Sequence, residues 1–385
     1  MAERLPANVR RLGWISFFTD ACSELVYPIY PLFLTQTLKA PVTALAAIEG
    51  AAIAVASLLK AWSGIRSDAS GRRVGWIRAG YLLGNVGKPL TALVPTWGVV
   101  FAIRIADRIG KGLRTAPRDA LLANSMPKDE QGRAFGFQRA MDMAGATVGI
   151  LSAALLVWLL PGQYRTIFLI AAVPGLIAVG LTWMIHDDSP GEARVQALAP
   201  LRSLPRSFLP TLAVSTLYGF AASSDALLLL RASGMGFDAL AVVGLYAIAN
   251  LIASLGAYPA AVWSDRAGRK RLLALGWTIY GFVYLGLAYG GFWFAPWLFA
   301  AYGVQLALTE GTVRAWAVDE VPREARGTAL GLFHATVGLS ALAGNLAVGL
   351  VWDRQGPSQA LLISAAASLL ACLALFALPS GRAHG

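Results

Sequence analysis

The sequence predicts an all-α integral membrane fold: twelve transmembrane helices in two six-helix bundles related by pseudo-twofold symmetry. Three observations predict it. The composition is 57% apolar with a mean hydropathy of +0.59 and only 14% charged residues, where a soluble chain carries about 25%. Apolar runs of roughly 20 residues, each enough to cross a hydrocarbon core of about 30 Å, recur along the whole length. The two halves of the chain also repeat each other's loop sequences. In lipid every backbone polar group has to be paired internally, so the runs are helices.

The runs place helix 1 at 13–37, helix 2 at 42–65, helix 3 at 74–95, helix 4 at 97–124, helix 5 at 131–160 and helix 6 at 164–185. Helices 7 to 9 follow at 207–232, 238–262 and 271–291, and helices 10 to 12 at 294–320, 325–352 and 357–378. The N-terminus is short and basic (Arg4, Arg10, Arg11) and runs into helix 1 with no small-residue cleavage site, the pattern of an uncleaved first helix.

Loop charge sets the orientation. The loops after helices 2, 4, 6, 8 and 10 carry Arg66, Arg72, Arg73, Lys128, Arg194, Arg202, Arg206, Arg266, Arg269, Lys270, Arg271 and Arg323; the opposite loops hold little beyond Lys39, Arg165 and Arg354. Basic loops stay in the cytoplasm, so both termini are expected there, in a multi-pass inner (plasma) membrane protein. The same loops account for the net charge of +11, which in a soluble chain would point to nucleic acid; no nucleic acid is expected here. Cys22 and Cys372 lie inside apolar runs and form no disulfide or metal framework.

A polar, basic linker at 191–206 separates an N-terminal bundle (1–190) from a C-terminal one (207–385). "SGIRSDASGRR" after helix 2 matches "AAVWSDRAGRKR" after helix 8, pairing Asp68 with Asp265, Gly71 with Gly268 and Arg72 with Arg269. "NSMPKDEQGRAFGF" matches "DEVPREARGTALGL" at nearly the same offset. Such internal repeats build alternating-access transporters, with the substrate site near the midplane.

These residues carry a resemblance. Gly64-x-x-Ser67-Asp68-x-x-Gly71-Arg72-Arg73 resembles the loop 2–3 signature of the major facilitator superfamily, and the stretch after helix 8 repeats it with Ala261 in place of the leading glycine. Arg104 followed by Gly110 is similar to the helix-4 arginine signature. Gly136, Gly145 and Gly149 are spaced as in the antiporter signature of helix 5, without its proline, since Ile150 follows Gly149. Pro28-x-x-Pro31 resembles the helix-1 proline pair of drug-efflux members. The resemblance implies a secondary active transporter, in a prokaryotic subgroup near the drug and solute efflux members.

The loop signature has its own physics. A tight turn wants glycine at Gly71, where φ is free to be positive. Asp68 suits the positive end of a neighbouring helix, and Arg72 suits the acidic end of helix 4, with Asp119 as the chosen partner. Gly64, Asp68, Gly71, Arg72, Arg73 and Asp119, with Asp265, Gly268 and Arg269 in the repeat, are therefore expected to form a cytoplasmic gate.

Charge at bilayer depth is costly and lines a cavity or is paired. Helix 4 carries Arg104, Arg108, Lys111, Arg114 and Arg118 on one broad stripe. Arg104, Arg108, Lys111, Lys60, Lys88, Arg139, Asp225 and His334 are expected to line a substrate cavity. Asp20 and Glu24, one turn apart on helix 1, and Asp142 are expected to carry a coupling proton, with Arg104 facing the helix-1 acids. Arg139–Asp142 and Glu310–Arg314 also read as structural ion pairs, His334 as a packing residue, and Lys39, Glu49 and Arg231 as side chains reaching for the membrane surface.

No nucleophile–base set, zinc spacing or phosphate loop occurs: Gly110-Lys111-Gly112 has neither a strand before it nor a hydroxyl after it. The expectation is a non-enzyme without cofactor or metal. It acts as a monomer in the lipid bilayer and couples a proton to export of a small anionic or zwitterionic organic solute or drug. The alternatives are import of an organic anion or iron-chelate, or transport of a metal ion.

Overall fold

The computed structural model describes residues 5–70, 72–127, 130–187, 202, 204–319, 321–322 and 325–378, with backbone only at 61, 65 and 68–70. Gly71, the side chain of Asp68 and most of the 191–206 linker therefore lie outside the described residues.

The described residues form twelve helices of membrane-crossing length. Helix 1 starts at Ala7 and runs regularly to Val26. Pro28 and Pro31 each lack an N–H to continue the ladder, so the chain goes on through a 3₁₀ turn (Tyr27–Ile29), a short helical turn (Tyr30–Leu32) and a wide π-type turn (Phe33–Thr37). Helix 2 is Val42–Ser70, helix 3 Arg73–Leu90, helix 4 Trp97–Asn124, helix 5 Gln131–Leu159 and helix 6 Tyr164–Met184. Helix 7 comes in two pieces, Phe208–Ala221 and Asp225–Gly234. Helices 8 to 12 are Ala239–Ala267, Arg269–Tyr289, Ala295–Val318, Arg326–Gln355 and Pro357–Ala377.

Nine of these, among the described residues, are long and apolar enough to cross a membrane by length and composition. The three that fall short are helices 1, 3 and 4, the first broken and all three rich in polar or charged side chains. They pack together, so the cost of their charges is met inside the protein rather than in lipid.

The chain divides into two compact units. The first holds Met1–Ala40, Ala51–Ala197 and Asp238–Gly244; the second holds Pro41–Gly50, Leu198–Phe237 and Leu245–Gly385. In the first, helix 1 lies against helices 5 and 6, and helix 3 against helices 4 and 6. In the second, helix 7 lies against helices 11 and 12, and helix 9 against helices 10 and 12, which is the same set of pairings two hundred residues on. Glycine permits the closest approach in both: a Cβ on Gly145 would run into the Phe17 carbonyl, and one on Gly344 into the Phe220 carbonyl. Of the antiporter-like glycines on helix 5, Gly145 and Gly149 thus form a contact surface for helix 1, whereas a Cβ on Gly136 would meet open space. Helices 3 and 4 meet similarly, with Gly80 and Gly110 facing each other's carbonyls.

Candidate functional site

In the first unit, helices 1, 3, 4 and 6 enclose a pocket with about 370 Å³ of empty space. Ser23, Tyr27 and Tyr30 come from helix 1, Lys88 from helix 3, Arg104 and Asp107 from helix 4 and Phe168 from helix 6. The proline-loosened turn of helix 1 sets Tyr27 and Tyr30 against Arg104, whose guanidinium carbon lies 5.5 and 5.2 Å from the two ring centroids. Both separations are within range for a cation–π attraction.

Asp107 is the centre of this pocket's charge. It is 5% exposed and meets three cations: Arg108 Nη2 at 2.6 Å, Lys88 Nζ at 3.6 Å and Arg104 Nη1 at 3.6 Å. Asp107 is not among the residues the sequence pointed to as lining the site. Its signal was the spacing: three residues after Arg104, one before Arg108, and on the face that meets helix 3.

One turn and more towards the C-terminal end of helix 4, the stripe splits. Arg114 is buried, lies 4.2 Å over the Tyr81 ring, and has an Nη1 without a hydrogen-bond partner; Lys111 is exposed. Asp20 lies in the field of Asp142, Arg114, Lys111 and Arg118. Its neighbours on helix 4 are thus the later cations of the stripe, which follow Arg104 along that helix. Asp142 accepts from Gln138 Nε2 at 3.0 Å, so the expected Arg139–Asp142 pair is replaced by an amide contact and Arg139 is exposed. Gln138 also donates to Ser16, which meets the Tyr81 hydroxyl at 3.2 Å and Arg118 Nη1 at 3.4 Å. Glu24 sits on the helix-1 face that Gly149 approaches, and Lys60 is half-buried on helix 2.

The second unit has a different chemistry. Glu49, expected to reach the membrane surface, is instead 4% exposed and accepts from Ser224 Oγ at 3.2 Å. The cause is the opening stretch of helix 2, Pro41–Gly50, which packs within the second unit: Gly50 meets Leu342 and Ala46 meets Gly349. Asp353 holds its N-terminus, accepting from the Val42 N–H at 2.9 Å and the Thr43 N–H at 2.8 Å. Asp225 Oδ1 accepts from the Tyr302 hydroxyl at 2.5 Å. His334 packs edge-on against Phe333, and Glu310 pairs with Arg314 at 3.3 Å as expected. Arg231 does not simply extend outward: it donates to the Leu287 and Ala288 carbonyls at the end of helix 9.

The loop signatures are legible in part. Gly268 has φ +89°, the backbone its repeat partner Gly71 was expected to need. Arg269 binds Asp319 at 2.6 Å, the contact that the reading assigned, in the first half, to Arg72 and Asp119. In that half Asp119 accepts from Arg118 at 2.9 and 3.0 Å. The carboxylate on the helix-3 N-terminus is Asp187, which accepts from the Arg73 and Val74 N–H groups at 3.0 and 3.1 Å. Neither Asp187 nor Asp319 was singled out from sequence, although Asp319 stands two hundred residues after Asp119. Gly64 approaches Ala116 of helix 4, and Asp265 lies 3.9 Å from Arg269.

The profile of the Major Facilitator Superfamily matches residues 12–344 and again 245–384. An uncharacterized MFS-type transporter of Methanocaldococcus jannaschii is 32% identical over 91% of this chain and 89% of its own. The multidrug resistance protein MdtH of Cronobacter sakazakii is 26% identical over 60% of this chain and 58% of its own. Among solved structures, the nucleoside transporter NupG superposes with a TM-score of 0.82 at 15% identity, over 96% of this chain and 99% of that one.

Proposed function

This chain belongs to the Major Facilitator Superfamily, and from that premise we propose that it is a proton-coupled exporter of a small organic anion or zwitterion. Membership makes it a multi-pass secondary transporter rather than an enzyme, with a small-molecule substrate. The substrate class rests on one observation: Lys88, Arg104 and Arg108 converge at the carboxylate of Asp107 beside an open pocket. Coulomb attraction at that depth favours an anion, and the planar fork of Arg104 suits a carboxylate or phosphate. Tyr27, Tyr30 and Phe168 supply an apolar wall for the rest of the solute.

Export is supported by the partial likeness to a multidrug resistance protein. Asp20 and Asp142, mutually repelling and surrounded by helix-4 cations, are well placed to exchange a proton as those cations move, with Glu24 as their helix-1 neighbour. Asp68, Arg72, Arg73 and Asp119, with Asp265, Gly268, Arg269 and Asp319, form the gate that opens on the cytoplasmic side. Both termini are then cytoplasmic, and the monomer is the working unit.

The test is flux in proteoliposomes under an imposed pH gradient, screened over organic anions, zwitterions and neutral analogues. Arg104→Ala abolishes coupled flux, and Arg104→Lys restores little of it because a point charge replaces the fork. Of Asp20→Asn, Glu24→Gln and Asp142→Asn, the variant at the carrier loses pH-driven flux and keeps solute exchange. Normal flux in Arg104→Ala would remove the pocket assignment. A normal pH response in all three acid variants would remove the coupling assignment.

A further inference from the structure

The second unit holds a carboxyl that the anion pocket does not use. Asp225 opens the second piece of helix 7, after a break at Ala222–Ser224 where Ala222 has ψ 86° and Ser224 is extended. Side chains from helices 9 and 11 hold that break. The Ser223 N–H donates to the Tyr280 hydroxyl at 2.9 Å, the Tyr280 hydroxyl donates to the Ala221 carbonyl at 2.8 Å, and the Ser224 N–H donates to Asn345 Oδ1 at 2.9 Å. Ser224 in turn caps Ala226 and bonds Glu49. The hinge backbone is therefore satisfied by groups that do not change charge, and Asp225 is the ionisable group on it.

The groups facing Asp225 are the Tyr302 hydroxyl and Glu310 on helix 10, Glu49 on helix 2, and the phenol of Tyr284 on helix 9. All are acids or phenols, and the nearby Glu310 carries its own counter-ion, Arg314, at 3.3 Å. Two features favour the anion: the Tyr302 hydrogen bond and the positive end of the helix piece that Asp225 begins. Two oppose it: withdrawal from water, and the like charges of Glu49 and Glu310. A carboxyl so balanced changes charge for a small change in surroundings, which a proton carrier requires.

We propose that Asp225 is a proton-binding site at the hinge of helix 7, loading and releasing one proton as the hinge geometry changes. On loading, an aqueous proton joins a free carboxylate oxygen and no other bond breaks. Tyr302 keeps its own proton, and its hydroxyl either continues to donate or turns to accept from the new acid. Loading removes one negative charge from the neighbourhood of Glu49 and Glu310 and relaxes their repulsion across the helix-7 break. This site is separate from the anion pocket of the first unit, so either assignment can fail without the other.

The test uses the full chain in liposomes, titrated from alkaline to acid pH, with proton uptake counted and the carboxylic C=O stretch followed by infrared difference spectroscopy. Asp225→Asn takes up one proton fewer than the parent and loses a titrating acid band. Asp225→Glu keeps the band at a shifted frequency, and Tyr302→Phe keeps it with a shifted midpoint. Equal uptake and an unchanged band in Asp225→Asn would overturn the proposal. So would a midpoint indifferent to Tyr302→Phe, or a band that responds to replacing choline by sodium, since the site would then take a metal cation. If Asp225→Asn does not fold, the Asp225→Glu and Tyr302→Phe shifts decide alone.

Discussion

At the scale of the residue, Asp107 is the keystone of the first unit. Three cations converge on it in a site only 5% exposed. Removing its charge leaves them facing one another, and breaking a buried ion pair by deleting one partner costs about 3–5 kcal/mol. Asp107→Asn is therefore expected to lower the melting temperature in detergent well below that of the parent, while Asp107→Glu recovers most of the loss. Equal melting of Asp107→Asn and parent would mean that solvent or lipid headgroups neutralise the cluster. Glu49 teaches the opposite case. An acid near a helix start looks like a surface group in a linear reading, yet it is buried because the opening turns of helix 2 pack within the second unit. No local pattern carries that information.

At the scale of the element, helix 1 joins backbone defects to the pocket. Pro28 and Pro31 interrupt its hydrogen-bond ladder and turn Tyr27 and Tyr30 towards Arg104. The double variant Pro28→Ala/Pro31→Ala regains ladder bonds, because proline inside a helix costs about 3 kcal/mol. It should melt no lower than the parent but transport more slowly, as the rings leave the guanidinium; flux at the parent rate would separate the rings from function. The glycine contacts work in the other direction. Gly145→Leu and Gly344→Leu place side chains where a neighbouring backbone carbonyl already lies. Each should separate its helix pair, 1 from 5 or 7 from 11, and reduce the yield of folded protein in size-exclusion chromatography. The equivalent change at Gly132, where a Cβ meets open space, should be tolerated.

At the scale of the whole molecule, the loop arginines and the repeat make the strongest claims. The positive-inside rule predicts a cytoplasmic C-terminus: a C-terminal fluorescent-protein fusion should glow and a C-terminal alkaline phosphatase fusion should stay silent; the reverse pattern would invert the topology. The Arg269–Asp319 contact offers a second check. Arg269→Ala and Asp319→Ala should each slow transport, and the double variant should be no slower than the worse single one, the non-additivity of groups that act as a pair. Additive slowing would show that the 2.6 Å contact is incidental to gating.

What the sequence determined by itself was the fold and its duplication. Hydropathy, run length and loop charge act through the bilayer, a uniform solvent whose demands can be read one segment at a time. The positive φ at Gly268 was legible for the same reason, as a local pattern that repeats between the halves. What the tertiary structure decided was which charges meet. Every basic residue of the helix-4 stripe was visible, and Arg104 and Arg108 reach Asp107 within their own helix, but only packing against helix 3 brought Lys88 to the same carboxylate. The same holds for Ser16 with Gln138 and for Asp225 with Tyr302. Ion pairs and hydrogen bonds depend on separations of a few ångströms between helices far apart in the chain, and helical periodicity gives the face of a side chain but not the neighbour across from it.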